Sequence, residues 1–178
     1  MYFNRDTLSY SVEGRKVEVL TISSKDGLSN EAEKSPDALC FPHGCTSMRF
    51  ANKKVVFLTS RVHPGETPGS HVLNGFIDLL TDLKNEQAKA LRKNYVFKII
   101  PMLNPDGVSR GYYRLDTKAY NLNRYYLEPV AADHPTIWVT KHLIVQHATE
   151  YNDMFMYVDF HAHASKKAGF MFGNYLQD

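Results

Sequence analysis

Three apolar runs constrain the fold of this chain more than any other feature: KKVVFLTS at residues 53–60, YVFKIIPML at 95–103 and MFMYVDF at 154–160. Their apolar residues are consecutive rather than alternating, the pattern of a strand covered on both faces. Between the first two runs, Val72, Leu73, Phe76, Ile77 and Leu80 recur at helical spacing within a segment from Pro68 to Leu83. Pro68 fits a first helical turn and Thr67 fits its cap. NEQAKALRKN continues as a short charged helix, and residues 133–149 predict a helix behind an Asp133 cap. Strand 53–60, helix, strand 95–101, helix and strand 154–160 imply an α/β fold: a mixed, partly parallel sheet with helices on both faces, joined by right-handed crossovers. Upstream, Thr7–Val12 and Lys16–Ile22 predict a hairpin across EGR. Residues 23–52 predict a long loop, and NPDG at 104–107 predicts a tight turn.

Composition excludes little but sharpens the class. The 178 residues suit one domain, and 43% hydrophobic content is that of a globular protein. A net charge of +2 is too weak to argue for nucleic acid or a membrane surface. No apolar run reaches the roughly 18 residues of a membrane span. MYFNRDTLSY lacks the apolar core of a signal peptide. The expectation is a cytoplasmic protein without membrane or nucleic-acid partners. Cys40 and Cys45 suit a reducing compartment rather than a disulfide framework. CFPHGC also contains His43, but a structural zinc needs a full tetrahedral ligand set at recognised spacings, so two loop cysteines near a turn are the preferred reading.

The polar residues with chemistry collect where the strands end, the rim at which open α/β sheets bind ligands. His63 and Glu66 follow the first strand on a Pro64-Gly65 turn, Asn104 and Asp106 follow the second, and His161 follows the third. Two histidines and a carboxylate make a catalytic zinc set with an open position for water. Zinc there would acidify water and polarise a carbonyl. Spacing alone leaves alternatives open. H-x-x-E is short, most histidines bind no metal, and His161 and His163 are both candidates because i and i+2 share a strand face.

RVHPGETPGS, PMLNPDGVSRGYYR, NLNRYYLEP and VDFHAHASKKAGFMFGN, taken in order, resemble the zinc metallocarboxypeptidases, and within them the cytosolic carboxypeptidase branch of tubulin deglutamylases. The likeness runs from about Tyr10 to Asn174. It implies a single Zn2+ held by His63, Glu66 and His161. It also implies that Arg114 polarises the scissile carbonyl and stabilises the oxyanion, and that Asn123 and Arg124 clamp the substrate's terminal carboxylate. The implied reaction is removal of C-terminal or branch-point glutamate from glutamate-rich protein tails, tubulin among them, in the cytoplasm and at microtubules. The surplus of Arg110, Arg114, Lys118 and Arg124 over Asp106 and Asp116, with Lys166 and Lys167, agrees with an acidic substrate. The resemblance further implies a non-proline cis bond at Ala162–His163.

Two departures stand out. Asn121 occupies the position where the wider family usually carries an aspartate that orients the first zinc histidine. An amide accepts the same hydrogen bond without charge, so ligand basicity should fall. The family's general-base glutamate and substrate-capping tyrosine lie well beyond the third ligand, whereas this sequence ends seventeen residues past His161. The expectation is therefore a single, truncated catalytic domain over 1–178, incomplete at its C-terminal end, weak in zinc binding and inactive alone. Local substitutes for the base are not expected. Asp106 sits in a tight turn, Glu66 is committed to the metal, and Asp159 is expected to point away from the face of His161. The alternative is a catalytically incomplete zinc-binding fragment or a protein-interaction module.

Overall fold

The structure is a computed structural model and describes residues 1–174. In chain order the elements are β1 (Tyr2–Tyr10), β2 (Lys16–Ser23), β3 (Leu28–Ala32), β4 (Met48–Phe50), β5 (Lys54–Ser60), α1 (Thr67–Thr81), α2 (Glu86–Asn94), β6 (Tyr95–Ile100), α3 (Pro105–Ser109), α4 (Pro135–Val145) and β7 (Met154–Phe160). Among the described residues the main sheet has the order β1-β2-β6-β5-β7. β1, β2 and β6 pair antiparallel, while β5 pairs parallel with both β6 and β7. The mixed, partly parallel sheet is the expected one.

The consecutive apolar runs of β5 and β6 are explained by layers on both faces, whereas β7, at the edge of the described sheet, exposes Phe155, Met156 and Tyr157 and departs from the expected double coverage. Val55, Phe57, Val96 and Ile100 face one way and pack with Ile137, Val139 and Leu143 of α4. Val56, Leu58, Phe97 and Ile99 face the other way and pack with Leu73 and Leu80 of α1. Phe76 and Ile77 complete that contact, whereas Val72 is exposed despite its helical spacing.

Three local expectations give way to the tertiary structure. Glu66, not Thr67, stands at the N-cap of α1 and makes no side-chain capping bond, because its carboxylate is held elsewhere. His134 stands at the cap of α4, and Asp133 instead pairs with Lys118 at 2.8 Å. NPDG becomes the short helix α3, with the Asn104 amide oxygen accepting the Gly107 N–H at 2.9 Å.

The predicted loop 23–52 contains the antiparallel ribbon β3–β4. The loop is tied to the sheet by Lys98, only 1% exposed inside its apolar strand. Lys98 Nζ donates to Glu33 at 2.5 Å and to Thr21 and Ser47 hydroxyls at 2.9 Å. A buried ammonium is tolerable only when paired and hydrogen-bonded in this way. Among the described residues no helix is long and apolar enough to cross a membrane.

Candidate metal centre

The turn after β5 is built for close approach. Arg61 adopts a left-handed φ of 61°. Its guanidinium donates to the Pro64 carbonyl at 3.1 and 2.6 Å and to Ser70 Oγ at 2.9 Å, bracing the turn against α1. The Gly65 N–H donates to the Tyr113 carbonyl at 2.8 Å. A Cβ on Gly65 would lie 2.7 Å from the Tyr113 ring, and one on Gly69 would lie 2.7 Å from the Phe160 carbonyl. Only glycine lets this turn touch both the loop that carries Arg114 and the end of β7.

That packing brings His63, Glu66 and His161 together. Glu66 Oε1 lies 2.8 Å from His63 Nδ1 and Glu66 Oε2 lies 2.9 Å from His161 Nδ1. The two imidazole centroids are 5.0 Å apart. The potential ligand atoms of the three residues all fall within 4.8 Å of one another. The outer nitrogens are also engaged, His63 Nε2 with Asn121 Oδ1 at 3.0 Å and His161 Nε2 with Asp159 Oδ2 at 2.7 Å.

Each imidazole therefore lies between two oxygens. A neutral ring carries one N–H, so it can satisfy only one of them. With Nε2–H donated outward, a lone pair remains on Nδ1 facing the carboxylate, and a cation at that point satisfies all three groups. This is the arrangement of a histidine ligand oriented by an outer hydrogen-bond acceptor, and the donor set of two nitrogens and one carboxylate fits zinc.

In the metal-free cluster the carboxylates and imidazoles stabilise one another's charged forms. Burial raises the Glu66 carboxyl, but the Ala162 N–H at 2.9 Å, the His63 charge and the bond from His161 outweigh it and hold its pKa below the usual value. The hydrogen bond to Asp159 raises the His161 pKa against the opposing effect of burial.

The other candidates distribute unevenly. His163 turns away, its Nδ1 accepting the Ser165 N–H at 3.2 Å, so the structure selects His161 for the cluster. Arg114 Nη1 stands 3.7 Å from Glu66 Oε1 with its side chain 43% exposed. Asn121 Oδ1, 3.0 Å from His63 Nε2, also accepts the Asn123 N–H at 3.2 Å, so the 121–124 segment lies beside His63. Arg124 is exposed, and its Nη1 donates to the Asn123 carbonyl at 3.3 Å.

Asp106 is buried and accepts from Ser11 Oγ at 2.6 Å and Arg15 Nη1 at 2.8 Å, fastening the β1–β2 hairpin to α3. His43 Nε2 meets the Tyr10 hydroxyl at 2.8 Å. The Cys40 and Cys45 thiols are pushed up to about 12 by burial. Among the described residues, the cluster of potential metal ligands is His63, Glu66 and His161, without Cys40, His43 or Cys45.

Two expectations are corrected. Asp159 does not point away from His161. Residues two apart in an extended strand share a face, so the alternation itself carried the signal for this contact. The peptide bonds of the described residues include no cis bond, so Ala162–His163 is trans. A non-proline cis bond costs ~3–4 kcal/mol and persists only where surroundings over-determine it, and residues 163–174 are exposed.

Comparisons with known proteins identify a family. The family described as zinc carboxypeptidase, Peptidase M14, matches residues 4–133. Cytosolic carboxypeptidase-like protein 5 of Bos taurus is 49% identical, over 83% of this chain and 17% of that protein. Human cytosolic carboxypeptidase 6 is 44% identical, over 99% of this chain and 31% of that protein. The chain thus spans a sixth to a third of the length of these curated relatives. The solved metallo-carboxypeptidase from Burkholderia cenocepacia superposes with a TM-score of 0.69 at 25% identity, covering 90% of this chain and 37% of that one.

Proposed function

The chain belongs to the zinc carboxypeptidase family, and from that premise we propose that it serves zinc-dependent removal of C-terminal or branch-point glutamate from glutamate-rich protein tails, tubulin among them. The observation that carries this reading is the convergence of His63, Glu66 and His161. Zinc, when bound, supplies a Lewis acid for the scissile carbonyl and a means of activating water. The chain's own residues do the rest. His63, Glu66 and His161 hold the ion. Arg114, an arm's length from Glu66, donates to the carbonyl oxygen as charge develops on it. Asn123 and Arg124 receive the terminal carboxylate, a task for which a guanidinium fork is suited.

The preference for acidic substrates rests on fewer cations than the sequence suggests. Arg110 is already paired with Glu13 at 3.1 Å and Lys118 with Asp133 at 2.8 Å. Arg114, 3.7 Å from Glu66, is an exposed positive side chain at the site, and Arg124, Lys166 and Lys167 are exposed as well. A location in the cytoplasm and at microtubules is part of the same proposal, and the word "cytosolic" in the names of both relatives supports the first half of it.

Turnover by these 178 residues alone is not part of the proposal. Glu66 and Asp159 are the carboxylates hydrogen-bonded within the cluster, and both are held there. Neither is placed to take a proton from water and pass it to a leaving nitrogen. A second reading, a zinc-binding or protein-interaction module, draws on the exposed Phe155, Met171 and Phe172.

The test measures bound zinc, binding of a glutamylated peptide, and glutamate release. Zinc should bind and be lost in His63→Ala. Arg124→Ala should weaken peptide binding about 10–100-fold, the equivalent of charge-assisted hydrogen bonds. A wild-type chain that takes up no zinc would sink the metal assignment. Chelator-sensitive glutamate release would show that a carboxylate within these 178 residues serves as the base. Peptide binding unaffected by Arg124→Ala would favour the interaction module.

A further inference from the structure

We propose that Asp159 is the charged outer partner of the metal centre, a positioning residue that holds His161 and makes up at that histidine for the uncharged amide His63 meets in Asn121. The inference rests on the metal reading above and goes beyond it, because it assigns the source of ligand basicity to a different histidine. Each histidine has one outer acceptor, and the two differ in kind. Asn121 Oδ1 is neutral and shared, accepting from His63 Nε2 at 3.0 Å and from the Asn123 N–H at 3.2 Å. Asp159 Oδ2 accepts from His161 Nε2 at 2.7 Å, the short distance of a charge-assisted bond.

The Asp159 carboxylate is fixed at both oxygens. Its Oδ1 accepts from Thr59 Oγ1 at 2.7 Å, and Thr59 is fully buried in β5. The Tyr157 hydroxyl lies 2.9 Å from Thr59 Oγ1 and 3.2 Å from the Tyr126 hydroxyl. The carboxylate is thus anchored to the central strand, and through Tyr126 to the segment that carries Asn123 and Arg124. An anchored anion on Nε2 does two things for His161. It sets the tautomer that leaves Nδ1 free for a cation, and it raises the basicity of that nitrogen. It also fixes the orientation of His161, which lies just past the edge strand of the described sheet with its side chain 31% exposed.

The experiment measures zinc affinity of the 178-residue chain by competition with a chromophoric chelator. Thermal unfolding of the metal-free chain is recorded alongside. Asp159→Asn should weaken zinc about 10–100-fold. Adding Asn121→Asp to that variant should recover much of the loss by returning charge at the other histidine. A merely structural role for Asp159 would lower metal-free stability without moving zinc affinity, and Asn121→Asp would not rescue it. If the wild type binds zinc no better than His63→Ala, the metal reading fails. If His63→Ala loses zinc while Asp159→Asn keeps wild-type affinity, the metal reading stands and the role of Asp159 is overturned. Should Asp159→Asn not fold without metal, the single Asn121→Asp variant decides. Tighter zinc supports outer-partner charge as the control, and unchanged affinity refutes it.

Discussion

The two ends of the candidate site reach the same point by different means. His63 lies on a turn that is buried, braced by Arg61 and packed through Gly65 onto Tyr113, and its side chain is only 3% exposed. His161 lies just past β7, which pairs with β5 at the edge of the described sheet, and its side chain is 31% exposed. Glu66 bridges the two. Its Oε2 lies 2.9 Å from His161 Nδ1 and accepts the Ala162 N–H. His63 is therefore positioned by backbone packing, while His161 is held through side-chain contacts with the Glu66 and Asp159 carboxylates. A metal site can be rigid on one side and adjustable on the other, and the adjustable side is the one more sensitive to substitution of its hydrogen-bonding partners.

The largest effect should come from cutting the bridge. Glu66→Gln removes a ligand charge and the acceptor that fastens Ala162. Zinc affinity should fall by more than the ~10–100-fold typical of losing an outer partner. Amide exchange at Ala162 should quicken, while that at Gly65, bonded to Tyr113, stays slow. Equal quickening at both amides would abolish the distinction between the two ends.

The joint between the ends gives the next effect. Gly69→Ala places a methyl 2.7 Å from the Phe160 carbonyl, so it should destabilise by about 1–3 kcal/mol, the usual range for overpacking. Gly75 lies in the same helix, and a Cβ there would meet nothing within 4 Å. Gly75→Ala should therefore stabilise by roughly 0.5–1 kcal/mol through helix propensity. Thermal unfolding of the two variants checks the contrast, and a Gly69→Ala chain as stable as the wild type would refute the tight contact between α1 and β7.

Smaller effects concern access. Lys166 and Lys167 lie in an exposed stretch, so limited trypsin digestion should cut there before it cuts at Arg61, whose guanidinium and backbone are engaged in the turn. Early cleavage at Arg61 would contradict the braced turn. Native alkylation of Cys40 and Cys45 should be slow, because burial pushes both thiols up to about 12 and leaves little thiolate at neutral pH. Rapid modification would show that the loop around CFPHGC opens.

Periodicity and motif order made much of this molecule legible. The runs at 53–60, 95–101 and 154–160 all form strands, the first two covered on both faces and the third exposing Phe155, Met156 and Tyr157 at the edge of the described sheet, and the helical spacing of Leu73, Phe76, Ile77 and Leu80 matches the buried side of α1. Ligand-type residues just after those strands located the site, because parallel strands deliver their C-terminal ends to one rim. Local sequence could not decide which side chains would meet across the chain. Lys98 interrupts an apolar strand, and its burial makes sense only once Glu33, sixty-five positions away, is beside it. The ribbon β3–β4 has no periodic signal in a segment rich in turn residues. His161 and His163 were equivalent by alternation, and the position of Glu66 across the site separated them. Asn121 read as a loss of charge at His63, and only the structure brought a carboxylate, Asp159, against the other histidine. The chain alone determined which elements form and which chemical groups stand at their ends, since both follow from short-range periodicity and turn chemistry. The pairing of those groups was decided by the tertiary structure, since hydrogen bonds between residues about a hundred positions apart, such as Thr59 to Asp159, exist only after β5 and β7 have been laid side by side.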